Sequence, residues 1–217
     1  MKSPNVSIRR PETLKHGVLR TTESLIKSVA AHLDSRNDEE SIHRVRTAIK
    51  RLRALLRLIR PAVETAFFDR ENERLRITAR ILSFARDSEV ARDTLKTLPV
   101  SDQSTQEAVN TALPGLEKRV ERTKTHKPNV TKVKQRLNRT RQSFRHLRFR
   151  GTDQEIIRAG IRKVYGQGRR RMKAAIETGQ ESAYHRWRIR AKNLYYELQF
   201  LEPVRPKPLR RMVRRLS

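Results

Sequence analysis

The chain has 217 residues, with 51 Lys+Arg against 23 Asp+Glu, so its formal net charge is +28 and its pI about 11.5. A charge of that size opposes compaction by self-repulsion and suits a protein with an anionic partner: nucleic acid, an anionic membrane surface, or a small or polymeric phosphate. The absence of cysteine excludes disulfides, thiolate catalysis and cysteine metal sites, and fits a reducing cytoplasm.

The apolar residues make up 35% of the chain and recur with helical periodicity, which reads as a folded domain with a modest core rather than a disordered tail. The opening stretch "MKSPNVSIRRPETLKHG" has no apolar h-region, so no signal peptide is expected. No run approaches 18 apolar residues, so no membrane span is expected either. A first helix is predicted over 12–33, carrying Leu14, Val18, Leu25, Ile26 and Val29, and "DSRNDEES" breaks it. A second is predicted over 41–60, with Ser41 as N-cap and Pro61 after its end. A third covers 65–86 or a little more; "LPVSD" turns the chain; a fourth runs over 103–123, bent or split at Pro114-Gly115. After Pro128 come helices over 130–147, 153–177 and 181–201, and then the first turns of another in "LRRMVRRLS". Strand signals are nearly absent, so the reading is an all-α bundle.

The second helix, "IHRVRTAIKRLRALLRLIRP" (42–61), is both greasy and basic. At 100° per residue, Ile42, Val45, Ile49, Leu52, Leu56 and Ile59 form one stripe, widened by Ala48 and Leu55: a packing face. His43, Arg46, Lys50, Arg53 and Arg57 form a second stripe about 120° away, spanning about 21 Å. A charged stripe is often only a solvated face. This one contains no acid, so it gains no i,i+4 ion pairs and suffers like-charge repulsion, which points to a negative partner.

The pattern returns in "YHRWRIRAKNLYYELQFLEP" (184–203) without a gap. His43 matches His185, Arg46 matches Arg188, Lys50 matches Lys192, Leu52 matches Leu194 and Pro61 matches Pro203. A repeat of this length suggests two halves, 12–123 and 128–217, related by an approximate two-fold, with two His-Arg-Lys rows lining a shared basic cleft.

These paired helices, H-x-x-R-x-x-x-K-x-L followed later by H-x-x-R-x-x-x-K-x-L-x-Y, resemble the CHAD domain, the conserved histidine α-helical domain. "LSFARDSEV" (82–90) and "IRKVYGQGRRRM" (161–172) resemble the family's segments after the first repeat and before the second, and the likeness covers about 12–216. It implies a single all-α domain of two antiparallel four-helix bundles around a basic central cleft. It further implies binding of inorganic polyphosphate without catalysis, and association with polyphosphate or storage granules as in some relatives. Tyr195 stands where the family usually has arginine, Ser83 replaces a glycine, and the chain stops at Ser217 before the family's closing segment. The second bundle is accordingly expected to be incomplete.

The chemistry is compatible with that implication. A base-free polyanion needs many phosphate-directed donors and no stacking platform; the chain has one Trp, four Tyr and six Phe, and its stripes are rich in arginine, whose planar fork holds two phosphate oxygens at once. The expected polyphosphate-binding residues are His43, Arg46, Lys50, Arg53, Arg57, Arg86, Arg162, Tyr165, Arg169, His185, Arg188 and Lys192. His43 and His185 are read either as phosphate ligands or as helix-packing residues, and Tyr165 either as a phosphate donor or as packing. Asp87 is expected to orient Arg86. No metal site or cofactor is expected: there is no His-x-x-x-His pair or carboxylate cluster of ligand spacing. Neither a Gly-rich phosphate loop nor G-x-S-x-G occurs, and "ENERL" (71–75) lacks the lysine of the tunnel triphosphatases' E-x-E-x-K, so no enzyme is expected. The alternative partner is nucleic acid bound nonspecifically through the +28 charge.

Overall fold

The computed structural model describes residues 6–9, 11–35, 39–99, 102–125 and 129–216. These residues form eight α-helices and two single 3-10 turns, with no strand among them. The helices are α1 (Leu14–Ser35), α2 (Glu39–Leu58), α3 (Thr65–Thr97), α4 (Gln103–Thr125), α5 (Val130–Arg145), α6 (Asp153–Thr178), α7 (Glu181–Leu201) and α8 (Pro206–Leu216). The 3-10 turns are Arg60–Ala62 and Glu202–Val204.

Helix α2 is the hub, because its sequence lets it bury more than one face. Val45, Ile49, Leu52, Leu56 and Ile59 are each at most 1% exposed, as the packing stripe requires. Near its C-terminal end Ala54 and Leu58, on the other side of the helix, are equally buried. Each fully buried aliphatic side chain contributes about 1.5–3 kcal/mol, so α2 is held from several directions. It packs against α1 and α3 on one side and against α6 and α7 on the other. Helix α5, although late in the chain, packs on α1 and α3 and closes a four-helix ring with α2. Helices α6 and α7 pair with each other, α8 lies on α7, and α4 lies along α3. The two repeat helices, α2 and α7, are in direct contact.

Short polar links join these groups. Asp153 Oδ2 at the start of α6 accepts from the Leu14 amide at the start of α1, at 2.7 Å. The Ile8 amide donates to the Phe200 carbonyl at 2.8 Å, and the Arg150 amide to the Ala62 carbonyl at 3.0 Å. Asn129 caps α5, a Thr152–Glu155 capping box starts α6, and Gly179, at φ 63°, ends it in the left-handed conformation that a glycine adopts without strain.

Several boundaries differ from the sequence reading. Helix α3 runs to Thr97, well past 86, because its first breaker is Pro99, which favours extended backbone at Leu98 (ψ 124°). Ser41 is not an N-cap but a buried residue inside α2. Helix α4 is not split at Pro114; it keeps its remaining backbone bonds and is fastened to α3 by Lys96 Nζ to Glu117 Oε1 at 2.8 Å. Helix α8 starts at Pro206, earlier than the apolar pattern suggested, since prolines are tolerated in a first turn that lacks N–H partners anyway.

Helices α2 and α6 approach closely at Gly160, where an added Cβ would sit 2.2 Å from the Leu58 carbonyl oxygen. Gly160→Ala should therefore lower stability by about 1–3 kcal/mol through overpacking. Gly115→Ala, in open space on α4, should raise it by up to about 1 kcal/mol through helix propensity. Urea unfolding of the two variants checks this; equal effects would show that α6 does not seat on the α2 backbone.

Candidate anion-binding pocket

Burying α2 on both sides leaves one sector for its charges, the gap between α3 and the α6–α7 pair. Arg53 and Arg57 point into that gap. Arg53 Nη2 donates to Asn72 Oδ1 of α3 at 3.5 Å, and Arg57 Nη1 donates to the Arg53 carbonyl at 2.9 Å. A pocket of about 190 Å³ opens beside them, lined by Arg57, Arg60, Phe68, Asn72, Lys163, Val164, Gln167 and Arg190. Arg60 lies over the Phe68 ring at 4.3 Å, which fixes its guanidinium on the apolar wall. The lining thus offers arginine forks, an ammonium and two carboxamides, and no carboxylate.

These cations are held at close quarters against both desolvation and one another. Burial lowers the Arg53 pKa, with Arg76 and Arg190 adding to the effect and Glu73 opposing it. Arg57 is pushed down to about 10, first by burial and then by Arg53 and Arg190; it is still cationic at neutral pH. Burial and Arg171 likewise lower Arg190. Glu73 sits at the outer edge, its carboxylate bonded to Arg76 at 2.7 Å, and that bond holds it below its ordinary range. An anion entering the pocket would relieve this repulsion. Donors already fixed in place lose little entropy on binding.

The expected residues divide by position. Arg53 and Arg57 belong to the pocket region. His43, Arg46 and Lys50 continue along the same face of α2 towards its N-terminus, with His43 and Lys50 exposed. On α7 it is Arg190 that lines the pocket. Lys192 lies two residues on, about 200° around the helix, stacked at 5.0 Å on Tyr195, and His185 and Arg188 are exposed. On α6, Arg162 and Tyr165 line a different feature: an apolar groove of about 940 Å³ between α6, α7, α8 and residues 8–14. Arg169 lines a shallow hollow with Met172 and Ile176. Arg86 and Asp87 fall in α3 within 83–91, whose side chains lie outside the described residues.

The sequence reading missed Arg60, Asn72, Lys163, Gln167 and Arg190. For α7 a signal existed in the repeat: Arg190 stands where the first copy has Ala48, a cation in an apolar register. A second mismatch of the same kind is Glu197, opposite Leu55. Glu197 is 0% exposed, and neither of its carboxyl oxygens has a hydrogen-bond partner. Burial raises its pKa well above the ordinary carboxylate range, with Arg57 opposing. Among the described residues no group of three or more His, Asp or Glu side chains is placed to hold a metal, and no helix is long and apolar enough to cross a membrane.

The chain matches the family model for the CHAD domain over residues 20–217. Its fold is similar to the crystal structure of the CHAD domain from the plant Ricinus communis, with a TM-score of 0.60 and 18% identity over 100% of this chain and 78% of that one. No curated protein matches the chain.

The raised pKa of Glu197 has a consequence for stability. A carboxyl titrating higher in the folded state stabilises most below its unfolded value of 4.5; that contribution is lost as pH rises towards the folded value. Glu197→Leu removes this loss. The stability of the variant relative to wild type should therefore increase as pH rises above about 4.5, by up to about 1.4 kcal/mol per pH unit, until Glu197 ionises in the folded protein. Denaturant titrations at several pH values read this, and a pH-independent difference would contradict it.

Proposed function

The chain belongs to the CHAD domain family, and from that premise we propose that it binds inorganic polyphosphate in the pocket between α2, α3, α6 and α7, without turning it over. The observation that carries the reading is the convergence of Arg57, Arg60, Lys163 and Arg190 from α2, the 3-10 turn at 60–62, α6 and α7 on one small pocket without a lining carboxylate. Charge-assisted bonds to phosphate oxygens are among the stronger polar contacts. A ring of fixed cations is suited to successive phosphates of a flexible chain. Arg53 and Arg171, each electrostatically coupled to Arg190, extend the positive track beyond the lining. Longer chains can then bind more tightly by engaging more of it.

The lining holds cations, carboxamides and apolar side chains; no nucleophile or acid–base pair is present to cleave a phosphoanhydride, which supports binding alone. The pocket is also narrow, and its one aromatic, Phe68, is covered by Arg60. That leaves little for a nucleobase to stack on, which favours polyphosphate over nucleic acid. A cytoplasmic, granule-associated role is consistent with such a ligand.

Titration with long-chain polyphosphate at moderate salt tests the reading. Affinity should rise with chain length and fall steeply with salt. Arg190→Glu and Lys163→Glu should each weaken binding about tenfold to a hundredfold. Arg169→Glu, the same charge change on another face of α6, should cost less than about threefold. Polyphosphate should displace DNA at equal phosphate concentration, and no phosphate should be released. Equal losses for Arg169 and Arg190, or preference for DNA, would overturn the pocket assignment.

A further inference from the structure

We propose that Glu197 is the positioning residue of the pocket: its buried carboxyl shares Arg57 with the bound anion and takes up a proton from solvent when a polyanion claims that guanidinium. The inference rests on the polyphosphate reading and deepens it.

Glu197 is fully buried and does not itself line the pocket. It lies on α7 two turns after the pocket-lining Arg190, on the same side of the helix, with buried Asn193 between them. From α2 it faces Arg57, the charged group that interacts with it electrostatically. Arg53 stands one turn before Arg57, and Lys163 of α6 lines the same pocket. On the α8 side, Leu194 and Leu198 pack with Leu209, Val213 and Leu216, so that flank is apolar. Arg57 therefore both lines the anion pocket and interacts with a fully buried acid. The Asn193 Nδ2 and both Glu197 oxygens lack hydrogen-bond partners, an arrangement that costs most when the carboxyl is charged.

The sign of the coupling follows. A phosphate beside Arg57 adds negative charge close to Glu197 and draws off the cation that opposes its burial, so protonation becomes more favourable in the complex. Above the pH at which the empty protein ionises Glu197, binding must then consume up to one proton, and affinity falls as pH rises. Below that pH Glu197 is already neutral and the linkage vanishes. Leu55, its counterpart in the first repeat, cannot do this, so the device belongs to α7 alone.

Calorimetric titration of long-chain polyphosphate in buffers of differing ionisation enthalpy, at pH values above the Glu197 midpoint read from its carboxyl resonance in the empty protein, measures the proton count. Wild type should take up more protons than Glu197→Gln or Glu197→Leu, the difference approaching one. Its affinity should fall by up to about tenfold per pH unit relative to either variant. Subtracting the variants removes the ligand's own titration. Should the variants misfold, the carboxyl carbon resonance of Glu197 in wild type still decides: its midpoint should move to higher pH on adding polyphosphate, and an unmoved midpoint overturns the proposal. Binding with identical proton uptake in wild type and variants overturns the coupling alone. No binding by any of them overturns the polyphosphate reading and the coupling with it.

Discussion

The structure depends on one constraint: α2 must be buried on most of its circumference while carrying a row of cations. Its aliphatic residues bind α1 and α3 on one side and α6 and α7 on the other. Desolvating a guanidinium without a partner is costly, so the charged sector can only face a gap. That gap is the pocket. Packing and site are in this sense one fact, since the helices that enclose α2 are the ones whose inward edges contribute Lys163 and Arg190.

The same constraint accounts for the electrostatics. Arg53, Arg57 and Arg190 are all held below their ordinary pKa values, burial first and neighbouring arginines next. A fold that tolerates this without surrounding the cluster with acids stores electrostatic work that an anion releases. The single acid buried against the cluster is Glu197 among the described residues that interact with Arg57. It does not line the pocket, so it tempers the charge without occupying the ligand's place.

Much of this was legible in the sequence. The 3.6-residue periodicity defined most of the helices, because those that build the core bury an aliphatic stripe, and the exact-length repeat identified α2 and α7 as a related pair. What periodicity leaves open is helix rotation. On α6 the face Arg162–Tyr165–Arg169 has helical spacing, yet Ile156, Gly160 and Val164 seat the helix so that Lys163 and Gln167 reach the pocket instead. Gly160 is decisive there, since only a residue without Cβ lets α6 rest on the Leu58 carbonyl, and that contact joins residues 102 positions apart (160 − 58). On α7 the matches in the repeat drew attention to Lys192, whereas the mismatches are Arg190, which lines the pocket, and the buried Glu197. A repeat marks shared packing; departures from it mark where the two copies do different chemistry.

The central claim is that the anion sits among Arg57, Lys163 and Arg190. A crystal structure of the protein with a polyphosphate of defined length tests it most directly. The account predicts phosphate density inside the pocket within hydrogen-bonding reach of those three side chains, with the chain leaving along Arg53 or along Arg171. Density confined to the outer His43–Lys50 row or to the far side of α7 at His185 and Lys192, with the pocket empty, would contradict it.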